Sequence, residues 1–176
     1  PWFVFAAWCK LYGFPWDPRL WFAFVLHDLG YWGKPNMDGP EGEIHVEWAA
    51  AVMTRVFGVE WGDFCRYHSR FYSKRDGKPY SRLCVADKLA ILLTPGWLYL
   101  PMVKLSGELA EYMELARTRG AALDQKYASM NCADDDPVKW YANVQEYLRK
   151  WVAEHRDGRE DKWTPNSAIY TAGPGS

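Results

Sequence analysis

The chain of 176 residues has four histidines, His27, His45, His68 and His155. His27 stands directly beside Asp28, where the apolar run Trp21-Phe-Ala-Phe-Val-Leu26 closes. Two adjacent polar groups in such a place are costly to bury unless something satisfies them. A metal ion is one answer, and a hydrogen-bonded core pair is another. Asp87 raises the question more sharply, because it interrupts Leu83-Cys-Val-Ala86 and Leu89-Ala-Ile-Leu-Leu93. A carboxylate inside an apolar helix needs a cation or several donors. Mixed imidazole and carboxylate sets suit Zn, Mn, Fe and similar ions, and thiolates have no part in this pattern. The separations are 18 residues from His27 to His45, 23 from His45 to His68 and 19 from His68 to Asp87. Each is about one helix plus a turn, so successive helices can each contribute to one site in the middle of a bundle.

The elements that must position these residues are legible as helices. Trp2 to Tyr12 is apolar almost all round and is stopped by Gly13-Phe-Pro15. Asp17-Pro18 reads as an N-cap followed by proline at the first helical position. The helix it opens runs from Leu20 to about Leu29, and Gly30 falls where a helix can leave in the left-handed conformation. Tyr31 to Glu43 is rich in Gly, Pro, Asn and Asp and reads as a long loop, a kind that is usually functional. Further helices are expected over Ile44–Phe57, ended by Gly58, over Trp61–Tyr72 and over Ser81–Leu93. Beyond a Pro-rich corner come Ser106–Thr118 and Pro137–His155, the latter opened by Asp134-Asp-Asp136, which suits a cap and the helix dipole. Few strand signals and no internal repeat appear. The class is all-α, with one helical domain over residues 1–156. Its ligand-bearing part spans 1–93, further helices span 104–156, and 157–176 reads as an extended or flexible tail.

Composition narrows the function. Hydrophobic residues make up 49% and aromatics 17%, which excludes a disordered or low-complexity chain. With 21 basic and 22 acidic side chains the net charge is −1, so no nucleic-acid partner is expected. Cys9, Cys65, Cys84 and Cys132 are scattered without metal or disulfide spacing and read as reduced thiols of a cytoplasmic protein. The first residues lack the basic region and small-residue cleavage site of a signal peptide. The chain opens on Pro1 rather than Met, so residues are expected upstream. The apolar stretch 89–103 is too short, and too interrupted by Pro95-Gly96 and Pro101, to span a bilayer. Contact of this stretch with a membrane surface is the second reading, behind Trp97, Tyr99 and Met102 as core or a pocket wall. His155 reads as a cation suited to a helix C-terminus rather than a ligand.

His27-Asp28 closing an apolar helix, and Asp87 within Ala86-Asp-Lys-Leu-Ala90, resemble the HD-domain superfamily of metal-dependent phosphohydrolases. The resemblance covers about residues 1–93. The doublet alone is a weak signal; with Ala-Asp-Lys-Leu-Ala at the proper distance and two further histidines between, the pattern is more specific. The resemblance implies a single helical bundle of the HD-domain type holding one or two divalent metal ions (Mn, Zn, Fe or Mg). The ligand set it implies is His27, Asp28, His45, His68 and Asp87, with Asp28 in the metal-bridging role. The implied activity is cleavage of a small phosphoester, a nucleotide among the candidates, by metal-activated water. Lys34 after the doublet, and Lys74, Arg75 and Lys78 in the basic turn after His68, are candidates to grip phosphate oxygens. One departure stands out: the family carries a first histidine on the helix before the doublet, at a place that falls a few residues ahead of Pro1. The alternatives are an HD-type diiron oxygenase with the same ligands, and a non-catalytic helical binding module that lacks the first histidine.

Overall fold

The helix that carries the doublet begins as its sequence dictates. The Asp17 carboxylate accepts a hydrogen bond from the Arg19 backbone N–H at 2.9 Å, and Pro18 occupies the first turn of α2, Pro18–Leu26. It is preceded by α1, Trp2–Tyr12, and followed by a 3₁₀ turn over Leu29–Tyr31. The computed structural model describes residues 1–34, 40–119 and 136–157. All regular structure among them is helical. A short α3, Pro40–Glu43, leads into α4, His45–Phe57, and α5, Val59–Arg66. Then come α6, Arg70–Arg75, α7, Arg82–Leu93, α8, Gly96–Leu105, α9, Glu108–Arg119, and α10, Pro137–His155.

The core is built around α7. Leu83, Cys84, Val85, Ala86, Leu89 and Ala90 are all buried, which leaves Asp87 and Lys88 as the gap in an otherwise apolar surround. Around α7 pack α1, α5 and α10, and α4 lies along α5. The Trp8 and Phe24 rings pack at a tilt with centroids 5.5 Å apart, joining α1 to α2. Trp140, Tyr141, Tyr147 and Trp151 fill the α10 side. Apolar burial of this kind, at about 25 cal/mol per Å², is the main force holding the helices together.

Several expectations are corrected. The single helix expected over Trp61–Tyr72 is two, broken at Tyr67–Ser69, because Ser69 caps α6 by accepting from the Tyr72 N–H at 3.4 Å. The loop after Tyr31 contains α3, and residues 35–39 lie outside the described residues. Gly30 does not leave α2 with a positive φ; it sits inside the 3₁₀ turn. Trp97 and Met102 are exposed at 78% and 55%, while Tyr99 stacks on Tyr141 at 4.6 Å, so only Tyr99 of that stripe packs on the core. His155 is buried, stacked on Trp151 at 4.4 Å with its Nδ1 2.7 Å from the Trp151 carbonyl oxygen. Asp136 does cap α10, by accepting from the backbone of Val138 and Lys139. Cys9, Cys65 and Cys84 form no disulfide among the described residues. Cys132, Asp134, Asp135 and the tail beyond residue 157 lie outside the described residues. No single helix among these is long and apolar enough to cross a membrane, and α7 and α8 meet at a 111° bend.

Two glycines let α4 and α5 pack as they do. Gly58 joins them with φ 98°, a conformation that side chains disfavour. Gly62 faces α4 so closely that a Cβ there would collide with Thr54 Oγ1 and stand 2.9 Å from the Ala50 carbonyl oxygen. Gly62→Ala is therefore expected to destabilise the protein by about 1–3 kcal/mol. Urea unfolding measures this, and an unchanged midpoint would show that α4 and α5 separate without cost.

Candidate metal centre

Helix α2 ends at the point where its polar pair appears. The His27 backbone N–H still bonds the Ala23 carbonyl at 3.0 Å, and Asp28 then turns the chain with φ −104° and ψ −1°. Because the helix stops between them, the two side chains converge, and His27 Nε2 lies 3.0 Å from Asp28 Oδ2. The His27 ring is buried; the Asp28 side chain is 49% exposed, at the mouth of the site. From α7, Asp87 Oδ1 approaches His27 Nε2 at 3.7 Å. Neither contact has hydrogen-bond geometry, so both ring nitrogens of His27 lack a hydrogen-bond partner among the described residues. A buried imidazole left in that condition is costly unless a cation completes it.

His45 opens α4 and His68 sits in the break between α5 and α6. Each is aimed by its own backbone: His45 Nδ1 lies 2.7 Å from the Gly42 carbonyl oxygen and His68 Nδ1 2.5 Å from that of Cys65. A carbonyl only accepts, so each Nδ1 carries the proton and donates it. Both Nε2 atoms then present lone pairs inward, 3.2 Å from each other. They also flank Asp28 Oδ1, at 3.9 Å from His45 and 3.4 Å from His68. Ring N–H to backbone carbonyl is the arrangement by which proteins fix the tautomer of a metal-ligating histidine. Two facing lone pairs beside a carboxylate repel unless a positive charge lies among them.

The charges say the same. Burial would favour a neutral ring at His27, but the Asp28 charge and close approach, with Asp87 behind them, raise it to about 10. Burial likewise opposes ionisation of Asp28, yet the His27 charge holds that carboxyl well below the usual range. Asp87 is lowered as well: burial works against it, and the Lys88 ammonium and His27 overrule it. His45 goes the other way, down to about 3, chiefly through burial. The raised His27 value reflects a demand for positive charge between the two carboxylates, and a divalent ion would meet the same demand.

All five residues singled out for ligation meet here, and His27, Asp28 and His68 form a group whose donor atoms lie within 4.8 Å of one another and can hold a metal ion. The basic residues are dispersed. Arg75 is taken up by Asp76, at 2.7 Å from Nε, and by the Tyr72 ring. Lys78 is exposed in the turn after α6, Lys74 is half-buried on α6, and Lys34 is half-buried just past the 3₁₀ turn. Lys88 touches the site, 2.9 Å from Asp87 Oδ2. Its place beside Asp87 was visible in Ala-Asp-Lys-Leu-Ala, but its direction was not. Gly30 and Tyr31 also meet the site: the Tyr31 ring stacks on His45 at 3.7 Å, and Gly30 lies against the His45 backbone.

Fold and site together define an all-α protein with a His/Asp group able to hold a metal. No protein-family model, curated protein or solved structure matches the chain.

Divalent metal is expected to raise the melting temperature, since a ligand at 100 times its Kd adds about 2.7 kcal/mol. Asp28→Ala is expected to remove that rise while the metal-free variant stays folded. Thermal melts with and without Mn²⁺ or Zn²⁺ measure both, and a rise retained in Asp28→Ala would place the ion elsewhere.

Proposed function

We propose that the chain is a metal-dependent phosphohydrolase of the HD-domain type that cleaves a small phosphoester. The observation that supports this best is the way Asp28 divides the donors. Its Oδ2 faces His27 Nε2, with Asp87 Oδ1 beyond, and its Oδ1 faces the Nε2 atoms of His45 and His68. Each half offers nitrogen and oxygen donors of the kind that Zn, Mn and Fe accept. In this reading His27, Asp28 and Asp87 hold one ion and Asp28, His45 and His68 a second. Bound divalent ions acidify water and neutralise phosphoryl oxygens.

The chain's own groups supply the rest. Asp28, half-exposed, stands where substrate enters. His27 and Asp87 keep their donors fixed from two helices whose other faces are core. The backbone carbonyls of Gly42 and Cys65 keep the His45 and His68 lone pairs aimed at the substrate side. Lys34 follows the doublet closely and is a candidate to grip a phosphoryl oxygen, as are Lys74 and Lys78; Arg75 can do so only by leaving Asp76.

The test is phosphate release from a panel of nucleotides and phosphomonoesters, with Mn²⁺, Zn²⁺, Mg²⁺ or Fe²⁺ added. Wild-type protein is expected to turn over at least one compound, Asp28→Ala to fall to background, and Lys150→Ala, on the exposed face of α10, to match wild type. Metal-loaded protein that cleaves nothing would displace this reading. Iron with a visible or mixed-valence signal would then favour the diiron oxygenase, and no redox signal the binding module. For Lys34→Ala, KM is expected to rise more than kcat falls, as for uniform binding. Steady-state kinetics decide it, and unchanged constants would remove Lys34 from the site.

A further inference from the structure

His45 is held from more directions than a core histidine needs. Its Nδ1 donates to Gly42, its ring lies flat on Tyr31, with centroids 3.7 Å apart and planes 13° apart, and its main chain is wedged against Gly30. A Cβ on Gly30 would collide with the His45 carbonyl oxygen and stand 3.0 Å from its Cα. Both clamping residues belong to the 3₁₀ turn that starts directly after Asp28. The turn leaving one set of donors therefore grips a donor from the next helix, 14 residues beyond Tyr31. Among the described residues no ring lies flat on His68: its ring meets His27 and His45 edge-on, at 5.1 and 5.2 Å.

We infer that Gly30 and Tyr31 are positioning residues, which set the ring plane of His45 by stacking and close backbone contact so that its Nε2 points at Asp28 Oδ1. The proposal rests on the metal-site reading for its consequence but not for its geometry. A flat aromatic stack restrains rotation of the His45 ring about χ2, and with it the direction of the lone pair. The Gly42 carbonyl alone fixes which nitrogen carries the proton but leaves the ring free to swing about that bond. Glycine at position 30 brings the Tyr31 backbone close enough for the stack to form. The hydroxyl of Tyr31 is not part of the argument; the ring is. Support of this kind behind a metal ligand is generally worth 10- to 100-fold in affinity, so about that loss is expected when the stack goes.

The experiment compares wild type, Tyr31→Phe, Tyr31→Leu and Gly30→Ala by two readouts on the full chain. The first is metal-free: ¹⁵N-edited imidazole spectra, with His45 signals assigned by their absence in His45→Gln. All variants should keep the Nδ1–H tautomer set by Gly42; Tyr31→Phe should match the wild-type His45 signals, and Tyr31→Leu and Gly30→Ala should show them shifted or broadened. The second is titration with Co²⁺, read by visible absorption. Tyr31→Leu and Gly30→Ala should bind about 10- to 100-fold more weakly and with an altered band shape, and Tyr31→Phe like wild type. Unchanged His45 signals and unchanged affinity in Tyr31→Leu would overturn the proposal. So would Tyr31→Phe behaving like Tyr31→Leu, since the hydroxyl would then carry the effect. Should wild-type protein bind no Co²⁺, the metal reading fails, while the imidazole spectra still decide whether Tyr31 orients His45.

Discussion

Everything at the centre of this molecule answers to one electrostatic demand: two carboxylates and three imidazoles share a space in which each is within about 4 Å of another. Pairs of unit charges at such distances interact by about 4 kcal/mol at an effective dielectric near 20. A cluster of this kind is stable only with positive charge inside it. The Lys88 ammonium supplies part of that charge from 2.9 Å, the two carboxylates favour a proton on His27, and the surrounding helices hold the cluster together. The arrangement is costly as mere packing and economical as a receptacle for a cation.

The architecture serves this demand by local interruptions in otherwise regular helices. Helix α2 stops so that His27 and Asp28 can converge, and α5 stops at Arg66 so that His68 can turn inward instead of facing along a helix side. Helix α4 begins at His45, where a backbone carbonyl from the preceding turn is within reach of the ring. Only Asp87 comes from a helix interior, and there the flanking Leu83 to Ala86 and Leu89 to Ala90 anchor it against α1 and α10. Precision of placement comes from the apolar core, and freedom of direction comes from the breaks.

Much of this was legible in the sequence. Asp17-Pro18 and Asp136-Pro137 mark helix starts by a mechanism, and both mark real ones. The intervals between His27, His45, His68 and Asp87 suggest convergence, although they do not each match one helix and a turn: His45 to His68 spans both α4 and α5. The rest was hidden for physical reasons. The break at Tyr67–Ser69 depends on one serine cap inside a sequence with good helical periodicity, and periodicity outweighs a lone serine when only the chain is read. Gly30 looked like a helix exit, because its role is steric and its partner, the His45 carbonyl, is brought to it by tertiary packing. His155 looked like a surface cation because its neighbours are Glu154 and Arg156. Its burial comes from Tyr80 and Trp151, and only Trp151 lies close by along the chain. Lys88 falls within Ala86-Asp-Lys-Leu-Ala90, yet nothing in the chain tells which way its side chain turns.

The donors of the centre are spread from residue 27 to residue 87, an interval of 60 residues that covers α2 through α7. Metal bound across them would be a cross-link, and a reversible one. Closing a loop of that length costs a flexible chain roughly 3–4 kcal/mol of conformational entropy, by the logarithmic dependence on loop length. In the folded protein the core has already met that cost, so metal would find its donors gathered. In the unfolded chain it would have to gather them itself. Metal there would act as a clasp on the topology of the chain: its release would need no unfolding, but separating the donor-bearing segments would require its release.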